Sequence, residues 1–290
     1  MQGLNEIRRH LQAVSQTRQI TNAMYLLSSS RMRKAMTHIE YNREYYYRLR
    51  TTIKDILSKT QHIQEDYLNK REGKRAAFIV VAGDKGLAGA YNSNVLNFAL
   101  EKIKQFDECY IATVGIMATD FFRQHGFDVD IEYLGVAQDP DLDAARDIAD
   151  NMMRLYDEDL MDEIYLISTQ FINSVSHKPR ATRFLPLNLE DYDDVELEYD
   201  YSADMLYEPS PEAVLKTLVP QYAIGLIYDI LNQSYASEHS ARMNAMKNSM
   251  DNADEMMKKL NSQYNRARQF AITQEITEIA GGAQAQGYIE

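Results

Sequence analysis

Apolar residues recur every three or four positions at both ends of this chain and gather into short runs through its middle. Toward the C-terminus, Met243, Met246, Met250, Ala253, Met257, Leu260, Tyr264, Ala267 and Ala271 follow a 3-4-3-4 spacing, the seam of a left-handed coiled coil. The N-terminal arm opens in the same way with Leu4, Ile7, Leu11 and Val14. Its frame continues through Arg18, Thr21, Tyr25, Ser28, Met32, Ala35 and Ile39, a seam diluted by polar positions. Both arms leave and re-enter one middle region, so antiparallel pairing is the simplest topology. A seam rich in Met and Ala is thin and adaptable. Ordinary bundle helices are the alternative, and they would require further amphipathic partners.

Glycine and proline support this division. Neither occurs between Leu4 and Glu72 or between Leu226 and Ala280, whereas all six prolines lie between Pro140 and Pro220. As these residues punctuate structure most strongly, two helix-competent arms flank a folded centre. A continuous helix over Leu226–Ala280 would be ~80 Å long at ~1.5 Å per residue. A compact chain of this length has a radius of gyration of only ~19 Å. The helix is therefore expected to project, with its apolar face against the other arm.

In the centre, Ala76–Ala82 is short, apolar and β-branched, a buried strand. Helices are expected over Asn92–Gln105, Ile116–His125 and Asp141–Tyr156, the last with Leu142, Ala145, Ile148, Ala149 and Met152 on one face. Further strands are expected over Cys109–Val114, Val129–Tyr133, Glu163–Thr169, Phe171–Ser176 and Ala181–Leu187. Alternating strands and helices imply an α/β fold, a Rossmann-like sheet with parallel pairs. The expected division is 1–72 for the N-terminal coiled-coil helix, 73–207 for the α/β domain and 208–290 for the C-terminal coiled-coil helix. The run Tyr45-Tyr46-Tyr47 reads as a packing patch where rod meets domain.

Candidate chemistry is sparse. The turn Gly83-Asp84-Lys85-Gly86-Leu87-Ala88-Gly89 follows the first strand, but it lacks both the Gly-Lys-Ser/Thr ending of a phosphate loop and the Gly-x-Gly-x-x-Gly fingerprint. A tight turn packed on the sheet accounts for its glycines. The six histidines are scattered with no pair at metal-ligand spacing. The single cysteine, Cys109, excludes an internal disulfide and a Cys-based zinc site, and it opens an apolar strand. No catalytic set, cofactor site or metal site is expected. The N-terminus has no apolar signal core, and the longest strongly apolar run is far short of a membrane span. A net charge of −12 argues against nucleic acid as a partner. That charge is uneven: residues 1–50 carry nine Lys/Arg against three acids, and residues 128–212 carry 23 acids against five bases. Charge alone leaves open whether the basic arm enters an acidic or oxygen-lined surrounding or is simply a solvated face.

The arms carry more than periodicity. EIRRHLQAVSQTRQITNAMYLLSSSRMRKA at one end and SEHSARMNAMKNSMDNADEMMKKLNSQYNRARQFAITQEITEIAGGAQA at the other resemble the gamma subunit family of F-type ATP synthases. GDKGLAGAYN resembles that family's middle turn, and YEPSPEAVL its entry into the long C-terminal helix. The resemblance implies a central rotor stalk, non-catalytic itself, that couples ring rotation to conformational change at the catalytic beta subunits. It implies alpha, beta and epsilon subunits and a membrane c-ring as partners, with a peripheral position on the cytoplasmic face of a bacterial inner membrane. It also implies head contacts. Met24 matches the family's shaft methionine near an acidic lever, followed by Arg31, Arg33 and Lys34. Arg242 falls in the Ala-Arg-Met motif, and Arg268, Gln269, Thr273, Gln274 and Glu275 match the stretch facing the head's inner loops. Departures are Asn22, where the family often has lysine, and Ala90 in place of a glycine. The chain carries no inserted cysteine pair, and with no transit peptide ahead of the first motif a bacterial enzyme is expected rather than an organelle precursor. A nucleotide-binding α/β protein with a coiled-coil dimerisation arm is the competing reading, and a scaffolding coiled coil a third.

Overall fold

The computed structural model describes residues 2–59, 66–68, 71, 73–195 and 207–285, with side chains of the last helix described to Gly282. Positions 60–65 of the N-terminal arm lie outside the described residues. The chain falls into two compact units, one of Ser28–Arg242 and one of Met1–Leu27 with Met243–Glu290.

The larger unit holds a five-stranded sheet. Its strands are β1 (Arg75–Val81), β2 (Glu108–Val114), β3 (Ile131–Tyr133), β4 (Glu163–Phe171) and β5 (His177–Leu185), in the order β3-β2-β1-β4-β5. The first four are mutually parallel and β5 is an antiparallel edge. Phe78 at the centre of β1 lies opposite Ile111 on one side and Tyr165 on the other. β1 is buried along nearly its whole length because helices cover both sheet faces, as a continuous apolar run requires. Ala76, Phe78 and Val80 pack on α2 (Tyr91–Ile103) and α3 (Ile116–Gln124). Ala77, Ile79 and Val81 face α4 (Leu142–Asp157), together with Ile53 and Ile56 of α1 (Gln2–Lys59) and Leu215 to Leu231 of α5 (Pro211–Ala285).

Two expectations need correction. The segment Phe171–Ser176 is not a strand of its own: β4 runs through Phe171 and a tight turn follows, in which Asn173 Oδ1 accepts from the backbone N–H of Val175 and Ser176. The β-branched residues there resemble a strand, but the Asn side chain bonds its own backbone, the usual competitor of a ladder. Leu142 lies outside the buried stripe of α4 and is exposed, because Asp141 is the N-cap, accepting from Ala144 N–H, and Leu142 sits in the first turn. The other four residues named for that face are buried. β3 and β5 differ from expectation only at their ends.

Within the larger unit α1 and α5 run antiparallel. Ala35 packs with Tyr235 and Ala236, the Tyr228 hydroxyl meets His38, Asn42 donates to Gly225 O, and Tyr46 stacks on Tyr222 at 5.7 Å. Of the tyrosine run, Tyr46 and Tyr47 pack against the core, while Tyr45 is exposed and its hydroxyl bonds Gln221. α5 is 75 residues long, with Pro211 in its first turn, where the missing N–H costs nothing. It also contains a window of mean hydropathy 1.3, and over half of that window is buried inside the protein, as in a core helix.

In the smaller unit every seam position is buried or half-buried. Leu4, Ile7, Leu11, Val14 and Arg18 are half-buried and Thr21 is buried. On α5, Met246 and Leu260 are buried, and Met250, Ala253, Met257 and Tyr264 are half-buried. Arg18 Nε and Nη2 grip the two carboxylate oxygens of Asp254 at 2.5 and 3.0 Å, which sets the register. Counting back from that pair places the start of α1 opposite Phe270. From Ile272 to Gly282 every residue of α5 is exposed.

Candidate functional site

Strand order in the sheet reverses between β1 and β4: the connection from β1 leads to β2 on one side, while β4 lies on the other. In open α/β sheets the crevice at the carboxyl ends of two such strands is where ligands bind. Here that crevice is closed by the chain itself. Three side chains of α5 reach its rim. The hydroxyl of Ser237 donates to Thr169 O at the end of β4, that of Ser240 to Ser174 O just beyond it, and Arg242 Nη2 donates to the carbonyls of Lys85 and Gly86 after β1. Glu238 lies against Gly83, so closely that a Cβ there would meet its carboxylate carbon at 2.9 Å. The glycine serves this approach and not a phosphate.

The turn after β1 is tied at several points. Gly83 N–H donates to Asn92 Oδ1, and Asn92 Nδ2 donates to Lys85 O. Asp84 accepts from Ile116 N–H and from Gln138 Nε2. Leu87 adopts a positive φ of 62° and points outward. Behind the turn, Arg242 Nη2 also bonds Glu238 Oε1 at 2.6 Å, an ion pair one helical turn long and buried on both sides. Burial raises the Glu238 carboxyl, opposed by the adjacent guanidinium. Burial, aided by Arg242 and Arg31, pushes His239 down to about 3, so its neutral ring accepts a hydrogen bond from Arg242 Nη1 at 3.3 Å. Sequence reasoning missed Glu238 and Ser240 because Gly83, which Glu238 packs against, and Ser174, which Ser240 bonds 66 residues away, are distant in the chain. The spacing Glu238-x-x-x-Arg242 was the available signal.

The structure separates the other candidate residues into two groups. In the larger unit Arg31, Arg33 and Lys34 are exposed on α1: Arg33 bonds Ser29, and Lys34 bonds Asp139 across an exposed pair at 3.0 Å. In the smaller unit Met24 is half-buried, and Arg268, Gln269, Thr273, Gln274 and Glu275 are exposed. The Thr273 hydroxyl returns to Gln269 O, and Gln274 bonds Glu278, so these polar groups are held along the helix. Among them stand Phe270, Ile272, Ile276 and Ile279, all exposed and unforeseen as a set. Arg242 alone is buried, its guanidinium committed to the chain.

A polar cleft of about 610 Å³ between β5 and α5 is lined by Arg50, Arg183, Asp191, Asp194 and Asp229. Two of its arginines are paired within it, Arg50 with Asp194 and Arg183 with Asp191. Among the described residues no group of His, Cys, Asp and Glu is placed to hold a metal. Burial raises the Cys109 thiol, the opposite of an activated nucleophile.

Comparison with known proteins places this geometry. The ATP synthase family model matches residues 3–286. The ATP synthase gamma chain of Alkaliphilus metalliredigens is 40% identical over 284 residues, covering 98% of each chain. A chain of the Euglena gracilis mitochondrial ATP synthase superposes with a TM-score of 0.66 at 18% identity, over 98% of this chain and 94% of that one. One from the Tetrahymena thermophila mitochondrial central stalk and c-ring gives 0.61 at 22%, over 79% and 98%.

Proposed function

The chain belongs to the ATP synthase gamma chain family, and from that premise we propose that it is the central rotor stalk of a bacterial F-type ATP synthase. Its partners are the alpha and beta subunits of the head, the epsilon subunit and the c-ring, on the cytoplasmic face of the inner membrane. It does no bond chemistry. In this reading 1–72 and 208–290 form the shaft and 73–207 the base.

The observation that carries the reading is the far part of α5. Beyond the last seam position, Ala271, the helix presents Thr273, Gln274, Glu275, Ile276 and Ile279 with no cover from the other described residues. A soluble helix leaves large apolar side chains bare where something else surrounds it. A shaft tip inside a ring of head subunits meets that condition. Arg268 and Gln269 at the last paired turn, and Met24, Arg31, Arg33 and Lys34 on α1, are the further head contacts. Mechanically the stalk acts by differential contact: an asymmetric rod touches three beta subunits differently, so each favours a different conformer. The competing reading as a nucleotide-binding protein is not favoured, because Glu238 and Arg242 fill the crevice such a ligand would need.

Reconstitution with cognate alpha and beta subunits tests the proposal. Native mass spectrometry is expected to show one copy of this chain per three of each partner, with rotation-coupled ATP hydrolysis. Arg268→Ala and Gln269→Ala are expected to lower hydrolysis or coupling several-fold while helix content stays unchanged. A chain that never enters the complex, or substitutions that leave turnover untouched, would overturn it.

A further inference from the structure

We propose that Arg242 is a positioning residue, a pin that locks the turn after β1 to α5 so that sheet and helix rotate as one body. The sheet meets α5 at its switch-point crevice through side-chain bonds to backbone carbonyls at strand ends and the turns beyond them. Two come from single hydroxyls, Ser237 at 3.4 Å and Ser240 at 2.8 Å. Arg242 alone bridges two carbonyls of one turn, Lys85 O at 3.3 Å and Gly86 O at 3.1 Å, while its charge is balanced by Glu238. A guanidinium offers five donors in a rigid planar fork, so it holds direction as well as distance. Glu238 adds a steric stop, because its carboxylate fills the space beside Gly83. The turn's other ends are tied to the sheet domain through Asn92 and through Asp84 with Ile116. A twist applied to the sheet therefore reaches α5 through Arg242 with little slack. The functional consequence rests on the stalk reading; the mechanical one does not.

Two readouts keep these apart. Hydrogen exchange on the full-length chain is expected to show the amides of Lys85 to Gly89 exchanging at least tenfold faster in Arg242→Ala, with those of Met246 to Leu260 unchanged. Glu238→Gln, which keeps the acceptor and removes the charge, should give a smaller rise, and Arg242→Lys an intermediate one. In the assembled enzyme in vesicles, Arg242→Ala should retain most ATP hydrolysis but move at least threefold fewer ions per ATP. If Arg242→Ala fails to assemble, Glu238→Gln supplies the same two measurements. Unchanged exchange at Lys85–Gly89 would overturn the pin. So would a parallel fall of hydrolysis and pumping with the turn still protected, which would make Arg242 a direct head contact. If the unaltered chain does not assemble, the stalk reading fails while the exchange result still decides the pin.

Discussion

Asp229 shows how one buried side chain records its surroundings. It lies on α5 beside the cleft at β5, and Gln233 Nε2 donates to it at 2.6 Å. Burial pushes its carboxyl up to about 6, only partly relieved by Gln233 and by Arg50. A carboxyl whose folded pKa is raised contributes no penalty below the unfolded value of ~3.9, where both states are protonated. Between ~4 and about 6 the unfolded chain ionises first, so stability falls as pH rises, and above 6 the loss is complete. Two pH units correspond to roughly 3 kcal/mol. Asp229→Asn keeps the acceptor for Gln233 and removes the ionisation. Urea unfolding of the full-length chain should therefore find the variant more stable by about 3 kcal/mol at pH 7 and nearly equal to the parent at pH 4. Asp254 has the opposite sign. Its hydrogen bond and charge pairing with Arg18 hold it below the usual carboxylate range, so its contribution is present above ~4 and fades as pH drops through the folded value.

Among elements, α5 changes character along its length. From Leu215 to Leu231 it is a core helix, from Ser237 to Arg242 it closes a crevice, from Met246 to Tyr264 it is half of a coiled coil, and beyond Ala271 it is bare. Leu260 is 8% exposed in the coil, whereas Ile276 is 61% exposed. Leu260→Asp should bury an uncompensated charge and cost several kcal/mol, read as lost protection of amides from Val14 to Arg18 and from Ala253 to Tyr264. Ile276→Ser should leave unfolding unchanged within ~0.5 kcal/mol while weakening assembly with the head. The heptad frame was legible because seam burial is a local, periodic demand of helix geometry. The hairpin between β4 and β5 was not, since Ile172 and Val175 look like strand residues until Asn173 is seen to turn the backbone.

At the level of the whole molecule, the two units differ in how much they bury. Among the described residues of the smaller unit only Thr21, Met246 and Leu260 are buried, against two continuous apolar cores on the sheet faces of the larger one. Local opening free energy follows buried apolar packing. Amides of residues 4–21 and 246–271 are thus expected to exchange at least tenfold faster than those of β1, β2 and β4 in the free chain. They should slow by a similar factor on assembly with alpha and beta subunits. Equal protection in the free chain would mean that the thin seam is more stable than its burial indicates.

The amino-acid order by itself, which lacks a phosphate-loop motif, determined the long helical arms and the α/β plan with parallel strand pairs, because period, glycine and proline placement and strand composition act over a few residues at a time. It also carried the family likeness, which lies in linear motifs. Only the tertiary structure decided that Arg242 faces inward while Arg31 and Arg33 face out, and that the crevice between β1 and β4 is filled by Glu238 and Arg242. Those outcomes depend on groups about 157 residues apart meeting across a fold. Burial and pairing at that distance are set by packing, and no local pattern encodes them.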